Sequence, residues 1–208
     1  AFTQGVAAFG DEAYERAAER FRRYVDRVPG DAAGWYNLGT PYYRMDRPGY
    51  GVWAWLRAAR LDPRDDDTRH NLRVAGTPPE LVQRVTPLIP LRRTELLLLG
   101  GALWLLAGAA GAAWLVRRSR PSAVVALAAL SVALLSAGAW WDSTRGPETL
   151  IVLDAAVLRA GPALRADPVT TLQPGVGLVP VDRHGDWVRA RTLDGDEGWI
   201  ESADTGRI

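Results

Sequence analysis

The chain has 208 residues and a formal net charge of +1. It contains no cysteine, which excludes a disulfide framework, a thiolate zinc site and a cysteine nucleophile. None of its polar segments carries the basic stripe that nucleic-acid binding requires, so we do not expect a nucleic-acid partner.

Residues 1–75 repeat at a period of 34. The recurring pairs are Gly5 and Gly39, Phe21 and Trp55, Pro29 and Pro63, Asn37 and Asn71, and Leu38 and Leu72. With Trp35, Tyr42 and Ala58, these positions match the tetratricopeptide pattern of large residue, Leu-Gly, Tyr, aromatic, Ala and Pro. The segment therefore resembles all-α tetratricopeptide repeats, two of them, followed by a partial third helix near 65–74.

Proline and aspartate mark the expected helix ends. Pro29 and Pro63 should stop the second helix of each repeat, and Asp31 and the acidic run 65–67 should cap the helices that follow. No second ligand cluster accompanies the acidic run, so we interpret it as a capped helix start and not as a metal site. Pro41 falls inside the first helix of the second repeat, where we expect it to kink or shorten that helix.

Two and a half repeats are fewer than such a stack generally needs for stability. The chain also begins inside a helical pattern, at Ala1-Phe2-Thr3-Gln4, without a methionine. We therefore expect a removed signal peptide or a truncated start. Missing N-terminal residues, a partner or the membrane would then complete the stack.

The resemblance to tetratricopeptide repeats implies a concave, peptide-binding face formed by the first helix of each repeat. Asn37 and Asn71 occupy equivalent positions there, and in peptide-clamping members of the family asparagine at this position holds ligand backbone or carboxylate groups. Further candidates for the same face are Tyr36, Tyr43, Arg44 and His70. The alternative is that Asn-Leu is simply common helix sequence in these repeats.

Two uncharged apolar runs, 96–116 and 122–141, follow the repeats. Each is long enough to cross a bilayer core of about 30 Å as a helix, and together they predict a transmembrane hairpin. Small residues recur in both runs: Gly100, Gly101, Gly108 and Gly111, then Ala129, Ala133 and Ala137. They indicate either close helix packing or merely an alanine-rich composition. Neither run contains an ionisable residue, which argues against transport and favours an anchor.

The loop between the runs, 117–121, carries three arginines, which favours a cytoplasmic loop. Both polar segments would then lie on the extracytoplasmic side. Arg92 and Arg93 flank the other end of the first run, so the charge contrast is modest. Arginine without lysine, with abundant Ala, Gly and Pro, is typical of GC-rich bacterial coding. We therefore expect a two-pass protein of the bacterial inner (cytoplasmic) membrane.

Residues 150–208 alternate short β-branched and apolar stretches with turn signals at Pro174-Gly175, His184-Gly185 and Asp194-Gly195. Asp194-Gly195 suits a two-residue hairpin turn with positive φ. Five or six short strands in this length predict a small all-β barrel.

The segments Val157-Leu158-Arg159-Ala160-Gly161-Pro162, Gly185-Asp186-Trp187-Val188-Arg189-Ala190-Arg191 and Gly195-Asp196-Glu197-Gly198-Trp199-Ile200 together resemble a bacterial SH3 domain. The resemblance implies an SH3-like small barrel. Trp187 and Trp199 are candidates for a ligand-stacking surface. The alternative is that they pack a barrel with little core to spare.

Two histidines, no cysteine and no paired acids on a defined scaffold leave no recognisable catalytic set. We therefore expect neither an enzyme nor a cofactor or metal site. The sequence predicts a multidomain membrane protein with seven segments. These are repeats at 1–75, a linker at 76–95, transmembrane helices at 96–116 and 122–141 joined by a loop at 117–121, a linker at 142–149 and the SH3-like domain at 150–208.

This order of segments resembles BatE-type proteins of the bacterial aerotolerance operon. The resemblance implies an envelope scaffold that binds proteins, working beside von Willebrand-type membrane proteins and a MoxR-type ATPase in oxidative-stress tolerance. A second hypothesis is a cell-wall attachment protein whose SH3-like domain binds peptidoglycan.

Overall fold

The computed structural model describes residues 1–87, 89–117, 120–145 and 148–208. These residues divide into two compact units. The first joins residues 1–86 to the chain from 148 to 208, and the second contains the two apolar runs. The segments before and after the apolar runs therefore fold together.

Before the apolar runs, the described residues form six helices: α1 (Phe2–Gly10), α2 (Tyr14–Arg27), α3 (Ala32–Arg44), α4 (Pro48–Leu61), α5 (Asp66–Val74) and α6 (Pro79–Val85). We call residues 1–86 the helical segment. Helix α6 lies within the stretch 76–95 that the sequence assigned to a linker.

The period of 34 recurs in the backbone. Helices α2 and α4 begin and end at this spacing, α1 and α3 end at it, and α3 and α5 begin at it. The turn inside each pair repeats too, because Glu12 and Asp46 both have a positive φ, 58° and 55°. The repeat in the sequence therefore corresponds to two helix–turn–helix pairs followed by α5.

The helix ends follow the expected chemistry at both aspartates. Asp31 accepts a hydrogen bond from the Ala33 amide at 3.1 Å, and Asp65 accepts one from the Thr68 amide at 2.9 Å, so both cap a helix. Pro41 does not shorten α3, which continues to Arg44. Its ring is buried, and packing of α3 between α2 and α4 outweighs the lost backbone hydrogen bond.

Two glycine–aromatic contacts, also 34 residues apart, hold the helix pairs together. A Cβ atom on Gly5 would lie 2.7 Å from the Phe21 ring, and one on Gly39 would lie 2.6 Å from the Trp55 ring. Only glycine therefore lets α1 and α3 approach the aromatic residues of α2 and α4 this closely. The Trp55 indole also donates to the backbone oxygen of Tyr36 at 3.2 Å.

The chain from 148 to 208 forms an antiparallel sheet, which we call the C-terminal sheet. Its strands are β1 (Leu150–Val152), β2 (Ala156–Arg159), β3 (Pro168–Leu172), β4 (Gly177–His184), β5 (Trp187–Thr192), β6 (Glu197–Glu201) and β7 (Thr205–Arg207). Their spatial order is β3-β2-β6-β5-β4-β1-β7. Short apolar side chains fill its core, and those below 5% exposure are Leu150, Val152, Leu158, Leu172, Leu178, Val188, Ala190 and Ile200.

The three turn signals all contain a glycine with positive φ: 90° at Gly175, 56° at Gly185 and 104° at Gly195. The turn at Pro174-Gly175 closes with a 3.3 Å hydrogen bond from the Val176 amide to Gln173, as a type II turn does. The predicted two-residue turn at Asp194-Gly195 is wrong in length, because the connection runs from 193 to 196. The Thr192 hydroxyl accepts from the Asp196 amide at 3.0 Å and holds this longer loop.

Strand β1 belongs to two cores at once. Ile151 is fully buried in the core of the helical segment, whereas Leu150 and Val152 are buried in the core of the C-terminal sheet. Alternate side chains of a strand point to opposite faces, so one three-residue strand contributes to both. An uninterrupted apolar stretch is the pattern expected of a strand buried on both faces.

Helix α4 covers the edge strand β7. The Trp53 indole and the Arg57 guanidinium both donate to the backbone oxygen of Arg207, at 3.0 Å from Trp53 and at 3.0 and 2.8 Å from Arg57. Burial lowers the pKa of Arg57 below its ordinary value, and the neighbouring arginines 22, 60 and 207 lower this pKa further. Three N–H donors therefore occupy one backbone oxygen of this edge strand, which is then unavailable to another strand.

The second unit contains α7 (Arg93–Arg117) and α8 (Arg120–Arg145), which pack against each other. Their stretches Thr94–Val116 and Pro121–Trp141 are long and apolar enough, by length and composition, to cross a membrane. Most of their large apolar side chains are exposed within this unit. Residues 118 and 119 lie outside the described residues, and Arg118 is one of the three arginines on which the prediction of orientation rests.

Some of the small residues singled out in the sequence lie where the two helices meet. Ala129 and Ala133 are buried, and a Cβ atom on Gly100 would lie 3.5 Å from the Ser136 side chain. Ala137 is exposed, and Ser136 is buried in its place with its hydroxyl donating to Val132 at 2.9 Å within the helix. This part of the contact is therefore close because its residues are small.

Gly49 tests the packing of α4 against the C-terminal sheet. A Cβ atom there would collide with the backbone oxygens of Val152 and Leu153, neither of which can move without displacing β1. We expect Gly49→Ala to lower the free energy of unfolding by about 1–3 kcal/mol, measured by urea unfolding of the full chain in detergent micelles. Gly10→Ala is the control, since no atom of the described residues outside its own stretch of helix lies within 4 Å of its Cβ position. Equal effects of the two substitutions would contradict the packing described here.

Asp204, in the 3₁₀ turn Ser202–Asp204, provides a test by pH. Burial, then the charges of Glu201 and Asp154, raise the pKa of its carboxyl above the ordinary value of 3.8. The ionised carboxylate therefore destabilises the fold as pH rises through this range. We expect Asp204→Asn to stabilise the chain at about pH 7 by less than about 1 kcal/mol, since the group is only partly buried.

The gain from Asp204→Asn should vanish below the ordinary pKa, where the carboxyl is protonated in both the folded and the unfolded state. Urea unfolding at about pH 7 and about pH 3 measures this difference. Asp167→Asn, at an exposed position before β3, is the control and should not reproduce the pattern. A gain from Asp204→Asn of the same size at both pH values would contradict the explanation by charge.

Candidate interaction surfaces

The two asparagines of the predicted peptide-binding face occupy equivalent places in the structure. Asn37 and Asn71 are each the sixth residue of their helix, and each is half-buried. The Asn37 amide donates to the Ala33 backbone oxygen at 2.8 Å, within its own helix, which leaves its side-chain oxygen as an acceptor. The Asn71 side chain makes no hydrogen bond to the described residues, so both its donor and its acceptor are available.

The other predicted residues of this face differ in exposure. Arg44 and His70 are exposed. Tyr36 and Tyr43 are half-buried against the core of the helical segment, and the Tyr43 ring packs on Trp55 with centroids 5.2 Å apart. The two tyrosines therefore contribute mainly to packing. Arg44 and His70 supply most of the side-chain groups on this face that a ligand could contact.

The two tryptophans singled out in the sequence lie on the outward face of the C-terminal sheet. On β5 the inward residues are buried, whereas Trp187, Arg189 and Arg191 face outward. On β6, Trp199 lies opposite Arg189, and Trp187 lies opposite Glu201. The indoles are therefore diagonal neighbours across two paired strands, at a typical separation of roughly 7–8 Å. Both are half-buried and stand outside the core.

Charged groups accompany the indoles. Glu197 forms ion pairs with Arg189 and Arg191, each at 2.6 Å. The hydrogen bond from Arg191 is the main reason that the pKa of the Glu197 carboxyl lies below its ordinary value, and Arg189 also contributes. Planar guanidinium groups beside two indoles can stack on flat apolar surfaces and donate hydrogen bonds to ligand oxygens.

Sequence reasoning missed a cleft between the helical segment and the C-terminal sheet, within the first unit. Its volume is about 480 Å³. We call it the junction cleft, and its lining includes Pro48 and Val52 of α4, residues 75–78, Glu80, residues 174–177, Leu193 and Asp194. These residues come from four distant segments, so no local pattern indicates the cleft. The sequence marks only its Pro-Gly and Asp-Gly turns.

A comparison with known families bears on the C-terminal sheet. Residues 154–205 match the family model of the bacterial SH3 domain, so the predicted resemblance is confirmed for this part of the chain. The match includes Trp187 and Trp199 and leaves out β1 and the helical segment. A search of curated proteins found none that matches the chain.

Proposed function

We propose that the protein is a membrane-anchored scaffold of the bacterial envelope that binds other proteins. In this proposal α7 and α8 are the anchor, and the helical segment and the C-terminal sheet together form the binding unit. The observation that carries the proposal is the shared burial of β1, with Ile151 in one core and Leu150 and Val152 in the other. A shared core makes the two segments a single platform, and the chain connects this platform to one anchor.

The same contact supports a two-pass topology. The segment before the apolar helices can pack against the segment after them only if both lie on the same side of the membrane. The chain must then cross the membrane an even number of times. Two predominantly apolar helical stretches of 23 and 21 residues meet this requirement. The arginines of the loop 117–121 favour an extracytoplasmic platform.

We further propose that the helical segment consists of tetratricopeptide-like repeats. The support is the period of 34 in helix bounds and turns, with the repeated glycine–aromatic contacts at Gly5 and Gly39. Peptide partners would bind on the face that carries Asn37 and Asn71, with Arg44 and His70 available for charged groups.

The order of segments is like that of BatE-type proteins, and we propose the same kind of role. The partners would be von Willebrand-type membrane proteins and a MoxR-type ATPase, and the setting would be oxidative-stress tolerance. We propose no enzyme activity and no cofactor for this chain. The alternative is attachment to peptidoglycan, which is favoured by the family match and by the half-exposed Trp187 and Trp199 on one face.

The natural absence of cysteine makes the topology directly measurable. We expect Glu15→Cys in α2 and Arg165→Cys in the β2–β3 connection to react with a membrane-impermeant maleimide on intact spheroplasts. Ser119→Cys, in the loop between the apolar runs, should react only after the membrane is broken. The physical reason is that a shared core requires the helical segment and the C-terminal sheet on one side.

Each other labelling pattern contradicts a stated part of the topology. Labelling of positions 15 and 165 from opposite sides would exclude the shared core in the membrane. Labelling of all three positions from one side would exclude the anchor. Labelling of position 119 alone on spheroplasts would place the platform in the cytoplasm and exclude attachment to the cell wall.

The scaffold and the wall-attachment hypotheses differ in how the full chain behaves with purified sacculi. We expect micelle-solubilised protein to stay in the supernatant when sacculi are sedimented. In cells, we expect photo-crosslinking from the α3 face to yield a membrane-protein partner, reduced at least about fivefold by the double substitution Asn37→Ala and Asn71→Ala. Sedimentation with sacculi that Trp187→Ala abolishes and the asparagine substitutions leave intact would instead favour wall attachment.

A further inference from the structure

The junction cleft combines apolar walls with acidic groups. Its apolar lining includes Val52, Leu193 and three prolines, at positions 48, 78 and 174. The charged residues in the lining are Glu80 and Asp194. Both are exposed, and neither carboxylate has a hydrogen bond or an ion pair with the described residues. Both charged residues of the lining are therefore acidic.

The cleft is also rich in acceptors and poor in donors. Proline has no backbone N–H, so three of its lining residues supply only carbonyl oxygens. The backbone oxygens of Gly76 and Pro174 accept no hydrogen bond from the described residues. The Thr77 hydroxyl oxygen is buried and lacks a partner among those residues as well. A ligand that donates several hydrogen bonds would therefore complement the carbonyl oxygens of this lining.

The size and walls of the cleft decide what kind of donor fits. A volume of about 480 Å³ lies within the range of ordinary ligand clefts and exceeds what a bare cation needs. Apolar walls on both the helical and the sheet side favour apolar groups on either side of the donor. A side chain with an apolar stem and a cationic, donor-rich end meets both conditions.

We propose that the junction cleft binds an extended peptide segment of a protein partner that presents an arginine or lysine side chain between apolar residues. The cationic group lies between the carboxylates of Glu80 and Asp194, and the flanking apolar side chains lie against Val52 and Leu193. This inference deepens the proposed scaffold function, on which it rests, by naming the chemistry of one partner. The site is separate from the Asn37 and Asn71 face and from the two tryptophans.

The test uses the full chain in nonionic detergent micelles and fluorescence anisotropy of a labelled probe peptide, acetyl-Gly-Leu-Arg-Leu-Gly-amide. A second probe replaces arginine with citrulline, which keeps the shape and removes the charge. We expect the arginine peptide to bind about tenfold more tightly than the citrulline peptide. The double substitution Glu80→Gln and Asp194→Asn should abolish this difference while leaving the citrulline peptide unaffected.

The control variant is Glu15→Gln. Glu15 is an exposed acid in the first turn of α2, as Glu80 is in the first turn of α6, so the two substitutions change the helix terminus equally. Asn at position 194 keeps the turn chemistry before Gly195, and far-ultraviolet circular dichroism checks that each variant is folded. Glu15→Gln should retain the full preference for the arginine peptide.

Three results would overturn the proposal. Equal affinity for the arginine and citrulline peptides would exclude recognition of the cation. An arginine preference that survives the Glu80 and Asp194 substitutions would place binding elsewhere. Competition by free arginine amide as effective as that by the unlabelled peptide would show that apolar flanks contribute nothing. The measurement does not depend on membrane orientation. The proposed topology can therefore be wrong while peptide binding in the junction cleft is confirmed, and the topology can be confirmed while peptide binding is absent.

Discussion

The fold of the first unit depends on the burial of β1 from both sides. Ile151 is inaccessible to solvent in the core of the helical segment, and the side chains before and after it fill the core of the C-terminal sheet. Removing three such side chains from water contributes several kcal/mol, at about 1.5–3 kcal/mol for each large apolar residue. No other strand lies fully in both cores among the described residues, so β1 couples the stability of the two segments.

The polar contacts around β1 fix where α4 lies along the sheet. The Arg207 backbone oxygen, at the end of β7, accepts from both Trp53 and Arg57, and the Tyr50 hydroxyl donates to Asp154 at 3.1 Å. Apolar burial is not directional, whereas hydrogen bonds to a particular carbonyl are. Glycine at position 49 makes the approach possible, because a side chain there would meet the backbone of β1. The junction is therefore specific as well as apolar.

The sequence predicts the local structure of this protein much better than its junction. The period of 34, the aspartate caps and the turn glycines are encoded by residues close in sequence, and each recurs in the structure. The contact between Trp53 and Arg207 joins residues 154 positions apart, and nothing near either residue indicates the other.

The burial of β1 is predictable only in part. The hydrophobic pattern indicates that Leu150, Ile151 and Val152 are buried, but it does not indicate which segment they pack against. The family match begins at residue 154 and so leaves this strand out. Trp187 and Trp199 could be chosen as candidates from the sequence because they lie on adjacent strands, close together in the chain. The junction cleft could not be predicted because its lining comes from four distant segments.

The C-terminal sheet also completes the core of the helical segment. Helix α4 packs against α3, α5 and α6 within the helical segment, and another of its faces meets β1 and β7. Here Ile151 of β1 and the C-terminal Ile208 lie in the core of the helical segment, so the C-terminal sheet covers that face. Ile151 and Ile208 therefore complete a core that α2, α3 and α4 begin. The apolar helices α7 and α8 lie between the helical segment and the C-terminal sheet in sequence. The helical segment therefore reaches its full stability only after the apolar helices and the C-terminal sheet have both been synthesised.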